Sequence, residues 1–160
     1  MSKALVYGDS INTDLVIAGK YTKTLNFQDL ADHCMEDLDP RFREKVRPGD
    51  VLVAGCNFGC GSSREQAPLA LKYSGISAIL AKSFARIFYR NAINVGIPAL
   101  ICDTSSIRQG DEIRIDMDRG IVTVNGEREI KCQTLSPIMQ SILHSGGLVE
   151  FLKEKGDFTI

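Results

Sequence analysis

A glycine-rich segment at residues 55–68 lies between a short apolar run and a stretch with helical spacing. The apolar run at residues 51–54 predicts a buried strand, and residues 64–73 predict a helix that Ser62 or Ser63 could cap. Glycines at a strand-to-helix turn allow backbone N–H groups to approach a ligand closely, and the positive end of the helix dipole favours an anion. The segment therefore predicts an anion-binding turn.

Known anion and nucleophile motifs do not match this turn. A P-loop requires a lysine followed by a hydroxyl residue after its last glycine, whereas Gly61 precedes Ser62, Ser63 and Arg64. The glycine spacing also differs from a dinucleotide fingerprint and from a nucleophile elbow. Arg64 supplies a planar guanidinium suited to a carboxylate or phosphate. The remaining alternative is a structural glycine turn with a serine N-cap and a surface arginine.

The rest of the first two thirds of the chain has the pattern of an α/β domain with a mainly parallel sheet flanked by helices. Asn26 is a candidate N-cap for a helix at residues 27–35, Pro40 marks a break, and Gly75 and Gly96 are candidate helix ends. In chain order, the patterns predict a strand at 4–7, a polar turn at 9–14, a loop at 21–26, a strand at 78–81, a helix at 84–94 and a strand at 99–102.

The period changes after Gly110. Residues 112–117 alternate as a strand, residues 118–120 form a turn, and residues 121–124 return as a second strand. A third strand is expected after Asn125-Gly126. Added to the N-terminal strand, these antiparallel strands indicate a β/β/α layering. A last helix is expected at residues 148–153, and we expect it to serve packing alone.

Composition indicates one domain spanning residues 1–160. The chain is 44% hydrophobic, with 19 basic and 20 acidic residues, and its net charge of −1 disfavours nucleic acid as a partner. Apolar stretches end well before the roughly 20 residues of a membrane span, and the N-terminus lacks the apolar core of a signal peptide. We therefore expect a cytoplasmic protein without a membrane partner.

The five cysteines and two histidines offer weak alternatives. An odd number of scattered cysteines argues against a disulfide framework, and Cys56 with Cys60 has no second pair nearby for a metal site. Cys102, at the end of an apolar strand, is expected to be buried. His33 or His144 could pair with Ser62 in a hydrolase, but neither has a recognisable acid partner.

Three blocks carry a resemblance to a known family. They are DSINTD at residues 9–14, NFGCGSSRE at 57–65 and SFARIFYRNAIN at 83–94. In this order they resemble the small subunits of 3-isopropylmalate dehydratase, which are similar to the swivelling C-terminal domain of aconitase. The resemblance covers most of the chain and implies a single swivelling β/β/α domain.

The resemblance also implies a chemistry, the dehydration of a small hydroxy-dicarboxylate by a two-chain hydro-lyase. A large subunit would carry a [4Fe–4S] cluster whose iron takes the hydroxyl group, so this chain would bind no metal or cofactor itself. By residue match, Ser62 would be the catalytic base, with its alkoxide stabilised by N–H groups and positive charge. Arg64 would hold a substrate carboxylate, with Ser63 and Gly61 also contacting the substrate.

The segment at residues 21–24 matches the family's loop that reaches the variable group of the substrate, so Lys23 and Thr24 are substrate-binding candidates. Lys23 could equally be a solvated loop lysine. Isomerisation of 2- and 3-isopropylmalate in leucine biosynthesis is the main hypothesis. A homoaconitase-type or methyl-substituted malate dehydratase is the alternative within the family, and a second cation in this loop would favour the former. An alternative of another class is a stand-alone anion-binding regulatory domain, which would bind its ligand without a partner.

Overall fold

The computed structural model describes residues 2–24 and 26–155, and a four-stranded parallel sheet forms the centre of this part of the chain. The strands run in sequence order: β1 (Ala4–Val6), β2 (Val51–Val53), β3 (Ala78–Ala81) and β4 (Ala99–Ile101). Every residue of β2 and β3 is buried, as expected for a parallel sheet covered on both faces. The predicted parallel α/β arrangement is confirmed.

Helices surround this sheet. Two of them form the crossovers, since α4 connects β2 to β3 and α5 connects β3 to β4. The helix α2 packs against α4, while α6 packs against α5 and α7 against α6. In chain order they are α1 (Thr13–Val16), α2 (Phe27–Asp32), α3 (Phe42–Lys45), α4 (Gln66–Ser74), α5 (Arg86–Asn94), α6 (Pro137–His144) and α7 (Leu148–Lys155).

The start of α4 differs from the sequence prediction. The helix begins at Gln66 rather than at residue 64, and its N-cap is Glu65, which makes no side-chain capping bond. The expected capping by Ser62 or Ser63 is therefore wrong, because both serines precede the cap position. Gly75 ends the helix with a left-handed φ of 110°, as predicted. The consequence is that neither serine hydroxyl is used in capping.

The helix α2 begins as predicted but ends early. Asn26 caps it by accepting a hydrogen bond from the Gln28 N–H at 2.9 Å. It ends at Asp32 rather than at residue 35, because the Met35 N–H donates to the Val16 carbonyl at 2.7 Å and Met35 has a φ of 62°. Burial of Met35 in the core thus overrides the helical pattern.

Three helices were not predicted. The polar turn at residues 9–14 contains the start of α1, and α3 follows Pro40; each has four residues, too few to show a helical period. The third, α6, has readable signals, since Ser136 accepts from the Met139 N–H and Pro137 is its first residue.

Two predicted helices have different bounds in the structure. The helix α5 starts at Arg86 rather than at residue 84, and α7 extends to Lys155 rather than ending at residue 153.

A separate antiparallel sheet contains β5 (Ile113–Asp116), β6 (Ile121–Val124) and β7 (Arg128–Lys131) in that order. The three strands are confirmed and form a sheet of their own, whereas β1 pairs with β2 in parallel. The start of the chain links the two sheets: Lys3 forms an antiparallel bridge with Glu112, and the Ala4 N–H donates to the Asp111 carbonyl at 2.8 Å. The predicted packing role of α7 agrees with the complete burial of Phe151.

Candidate functional site

The glycine-rich turn at residues 54–65 lies at the carboxyl end of the parallel sheet, between the chain segments that follow β1 and β3. Backbone hydrogen bonds hold it on both sides. They run from Ser10 N to Cys56 O (2.8 Å), Gly59 N to Ile11 O (2.8 Å), Thr13 N to Cys60 O (2.9 Å), Phe58 N to Ser83 O (3.0 Å) and Ala85 N to Phe58 O (2.9 Å). The turn therefore has a defined position between its two neighbours.

Two glycines allow the turn to pack this closely. Gly59 has a φ of 83°, and a Cβ there would lie 2.2 Å from Cγ of Phe88. Gly55 is equally restricted, because a Cβ would lie 1.8 Å from the Asp9 carboxylate oxygen that accepts the Cys56 N–H. The glycine spacing thus reflects close packing beneath the turn.

A cavity of about 220 Å³ opens above this turn. Four of the predicted site residues, Gly61 to Arg64, line it. The other walls come from the start of α1 and from the first turn of α5. The lining residues are Thr13, Gly59, Gly61, Ser62, Ser63, Arg64, Ala85, Arg86, Ile87 and Phe88.

Ser62 is exposed at this cavity. Its carbonyl accepts a hydrogen bond from the hydroxyl of the buried Thr13 at 2.7 Å, which fixes the backbone at the serine. Within the described part of the chain, the N–H groups of residues 61–63 donate to no backbone carbonyl. Unpaired N–H donors next to an exposed hydroxyl can stabilise a negative charge that develops there.

Arg64 extends from the turn towards the residues after α1. Its side chain is 23% exposed, and Nη2 forms an ion pair with Oδ1 of Asp14 at 2.6 Å. Nη1 lies against Gly19. The buried Nε has no hydrogen-bond partner among residues 2–24 and 26–155. The positive charge at the cavity is therefore partly neutralised by a carboxylate of the same chain.

Lys23 and Thr24 are not among the residues that line the cavity. Lys23 is exposed, whereas the Thr24 hydroxyl donates to Asp29 at 3.1 Å and accepts the Asn26 N–H at 3.1 Å. The predicted loop at 21–26 is partly helical, because Gly19–Tyr21 is a 3₁₀ helix, and its Leu25 lies outside the described residues. Gly19, the first residue of this 3₁₀ helix, lies close to the Arg64 guanidinium.

Two polar side chains of the cavity, those of Thr13 and Arg86, were not predicted as site residues from the sequence. They belong to the first and third of the three blocks that carry the family resemblance, residues 9–14 and 83–94. The signal was their occurrence in blocks that follow two strands of one parallel sheet. Loops at the carboxyl ends of such strands converge, so polar residues there are site candidates.

The histidines do not support a hydrolase. His33 stacks on Tyr21 with ring centroids 3.8 Å apart, and its Nδ1 lies 2.9 Å from Glu36. His144 lies near Asp118, with its Nε2 3.9 Å from the carboxylate. Neither lines the cavity beside Ser62, so neither can serve there as its base.

The cysteines do not form a cluster site in the described ranges. All five are free thiols, and no group of three or more potential metal ligands occurs among residues 2–24 and 26–155. Cys102 is buried as predicted and donates a hydrogen bond to Cys132; this raises the pKa of Cys102 and lowers the pKa of Cys132. A [4Fe–4S] cluster held by three thiolates therefore does not fit the described part of this chain.

Comparison with known proteins places this fold and turn in a family. Residues 5–104 match the Aconitase C-terminal domain. The 3-isopropylmalate dehydratase small subunit 2 of Archaeoglobus fulgidus is 54% identical, covering 100% of this chain and 98% of the relative. The methanogen homoaconitase small subunit of Methanocaldococcus jannaschii is 52% identical, covering 96% and 91%.

A solved structure agrees in detail. The crystal structure of 3-isopropylmalate dehydratase from Methanocaldococcus jannaschii superposes with a TM-score of 0.93 at 50% identity, covering 97% of this chain and 93% of that one. No described helix is long and apolar enough to cross a membrane. With full-length relatives at this identity and the same architecture, the chain belongs to the aconitase C-terminal domain family, together with the dehydratase small subunits.

Proposed function

We propose that this chain is the small subunit of a cytoplasmic 3-isopropylmalate dehydratase, a hydro-lyase that interconverts 2- and 3-isopropylmalate in leucine biosynthesis. The observation that carries the proposal is the cavity in which Ser62, Ser63 and Arg64 meet, in a chain 54% identical to a small subunit of that name. A small subunit requires a large one. The [4Fe–4S] cluster that assists departure of the hydroxyl group would belong to that partner, because the described residues of this chain lack its ligands.

Ser62 is proposed to remove the substrate proton. A serine hydroxyl is a poor base in water, so the role requires an environment that stabilises its alkoxide. Three features support it: the hydroxyl is not used as a helix cap, the N–H groups of residues 61–63 lie beside it, and Arg64 lines the same cavity. The proton would pass from the substrate carbon to Oγ of Ser62.

Arg64 is proposed to hold a substrate carboxylate, with Ser63 donating a hydrogen bond and Gly61 contributing its backbone. The two serines are exposed at the cavity, so both can reach a bound molecule. Arg64 already carries Asp14 on one nitrogen, and the substrate carboxylate would occupy the remaining donors. This arrangement binds the substrate at a fixed distance from Ser62, which is what proton transfer requires.

The test uses this chain assembled with its large subunit and assayed on 3-isopropylmalate. Ser62→Ala should lower kcat by about 10²–10⁴-fold, the usual loss for a general base, while subunit binding is retained. Ser106→Ala, another exposed serine, is the matched control. The isolated chain should be inactive after anaerobic treatment with iron and sulfide. A near-normal rate for the Ser62→Ala complex would remove the serine from this role, and activity of the isolated chain would refute the two-subunit proposal.

A homoaconitase-type activity is the second candidate, because a relative of that name is 52% identical over 96% of this chain. The exposed Lys23 is the discriminating residue we propose, since a cation that reached the variable group of the substrate would pair with an additional carboxylate. Its segment is connected to the site through Gly19, which contacts Arg64.

Lys23→Ala and Lys23→Leu should change the ratio of kcat/KM between an alkyl-substituted malate and a tricarboxylate. Loss of a charge partner penalises the tricarboxylate more than a change in an apolar contact penalises the alkyl group. Lys20→Ala is the control, because Lys20 lies over the Tyr21 ring at 5.2 Å in the same segment. Equal losses for both substrates would identify Lys23 as a solvated loop residue.

A further inference from the structure

Arg86 is a second arginine in the cavity of Ser62 and Arg64. It is the first residue of α5, it is exposed, and it lines the cavity. No ion pair or side-chain hydrogen bond of Arg86 occurs with any residue in the ranges 2–24 and 26–155. Arg64 and Arg86 therefore differ, since Arg64 has a carboxylate partner and Arg86 has none there.

The position of Arg86 is unfavourable for the helix that carries it. A positive charge in the first turn opposes the helix dipole, which favours anions at that end. Neither a capping side chain nor an acidic residue offsets this unfavourable charge at the start of α5. The N-cap residue, Ala85, has no side chain that can cap, and the first turn contains no acidic residue. A residue that breaks a local rule in this way, inside a cavity, is typical of a functional site.

We propose that Arg86 binds the second carboxylate of the substrate, so that a dicarboxylate is held between Arg64 and Arg86. This inference rests on the proposed function and deepens it, because it explains why this chain would select dicarboxylates over monocarboxylates. The bound carboxylate would pair with the guanidinium of Arg86 and would also interact favourably with the N-terminus of α5. Arg64 keeps the carboxylate nearer to Ser62.

The test is direct binding to the assembled complex, measured by calorimetry with isopropylsuccinate, which has two carboxylates and no hydroxyl group to lose. Arg86→Gln should weaken isopropylsuccinate binding about 10- to 100-fold, the loss expected for a charge-assisted contact, and Arg86→Lys should restore part of it. The two monoamides of isopropylsuccinate localise the effect. The monoamide that lacks the carboxylate held by Arg86 should bind the wild-type and Arg86→Gln complexes equally. The monoamide that keeps this carboxylate should bind the Arg86→Gln complex more weakly than the wild-type complex.

Arg90→Gln is the matched control, because Arg90 is exposed on the same helix one turn further along and does not line the cavity. It removes the same charge and should leave the affinities for isopropylsuccinate and for both monoamides unchanged. The inference would be overturned if Arg86→Gln and Arg90→Gln lost equal affinity for isopropylsuccinate, or if Arg86→Gln lost equal affinity for both monoamides. Either result would mean that Arg86 acts through a general electrostatic attraction and not through one carboxylate. Weakened subunit assembly with unchanged isopropylsuccinate affinity at saturation would overturn it in favour of an interface role.

Different results would refute the inference about Arg86 and the proposed function. A wild-type complex that binds isopropylsuccinate through Arg86 but does not convert isopropylmalate would refute the proposed reaction and leave the carboxylate site in place. A complex that converts isopropylmalate with the same KM in wild type, Arg86→Gln and Arg90→Gln would retain the reaction and refute the role of Arg86.

Discussion

Gly19 contacts the guanidinium of Arg64 so closely that a Cβ at this glycine would lie 2.9 Å from Nη1. Gly19 has no left-handed backbone conformation, so alanine can replace it without backbone strain. The methyl group would displace the end of a flexible side chain and leave the arginine itself in place. The pair therefore allows the position of Arg64 to be tested without removing its charge.

Gly19→Ala should lower kcat/KM roughly 10- to 100-fold, because a displacement of about 1 Å in a substrate-positioning group has effects of that size. Thermal stability should remain close to wild type. Gly8→Ala is the control, since Gly8 also lacks a left-handed φ and its Cβ would have no neighbour within 4 Å. Steady-state kinetics of both variants, each assembled with the large subunit, test this prediction. If Gly19→Ala and Gly8→Ala have equal kcat/KM values, Arg64 moves aside without loss of activity.

Asp14→Asn tests the ion pair with Arg64. Asp14 is 61% exposed, so the pair should contribute less than about 1 kcal/mol to stability. We expect kcat/KM to fall about 10-fold, mostly through KM, because the guanidinium loses the contact that orients it. Asp118→Asn, at an exposed carboxylate outside the cavity, should have no effect. A lower KM for Asp14→Asn would show instead that Asp14 competes with the substrate.

Gly59→Ala should destabilise the fold by about 1–3 kcal/mol more than Gly110→Ala, because overpacking in a core costs that much. The two glycines have similar left-handed φ values, 83° and 85°, so both replacements place a Cβ at an unfavourable φ. They differ in their surroundings: the Gly59 Cβ would overlap Phe88, whereas the Gly110 Cβ would have no neighbour within 4 Å. Urea unfolding measures both, and equal losses would mean that the Phe88 ring moves aside.

Asp111→Asn tests a pH-dependent contribution to stability. The Arg108 N–H, at 2.8 Å, and the Asn125 amide, at 3.2 Å, donate to this carboxylate and hold its pKa below the usual 3.8. A pKa lower in the folded state means that the stabilisation is fully present above pH 3.8 and is lost as the pH falls through the folded value.

We expect Asp111→Asn to lower the free energy of unfolding by about 1 kcal/mol at pH 7, with a smaller difference from wild type near pH 3. Glu127→Gln, at an exposed carboxylate near the same strands, should show no such pH dependence. Denaturant unfolding at the two pH values measures both variants. A constant difference between wild type and Asp111→Asn across this range would contradict the assignment.

Local signals predicted much of the fold. The apolar runs of β2 and β3, the Asn26 cap and the left-handed Gly75 depend on residues close in sequence, and each was correct. The end of α2 could not be predicted, because it depends on the hydrogen bond from Met35 to the distant Val16 carbonyl.

Some features of the candidate site could likewise be predicted from the sequence, and others could not. Ser62, Ser63 and Arg64 are contiguous, so the sequence could predict that they lie together, whereas Arg86 and Thr13 join them through the order of strands in the sheet. The ion pair between Arg64 and Asp14 also depends on tertiary structure. A carboxylate that partly neutralises the predicted anion site was therefore not visible in the sequence.

Phe58 is hydrogen-bonded through its backbone to Ser83 and Ala85, and its ring packs on Phe88 with centroids 5.1 Å apart. The glycine-rich turn and the start of α5 are thus held directly against each other. A small error in how the large subunit docks would shift Ser62 and Arg86 together relative to that subunit, without changing the spacing between them. Docking tolerance and the internal spacing of the half-site can therefore vary independently in evolution.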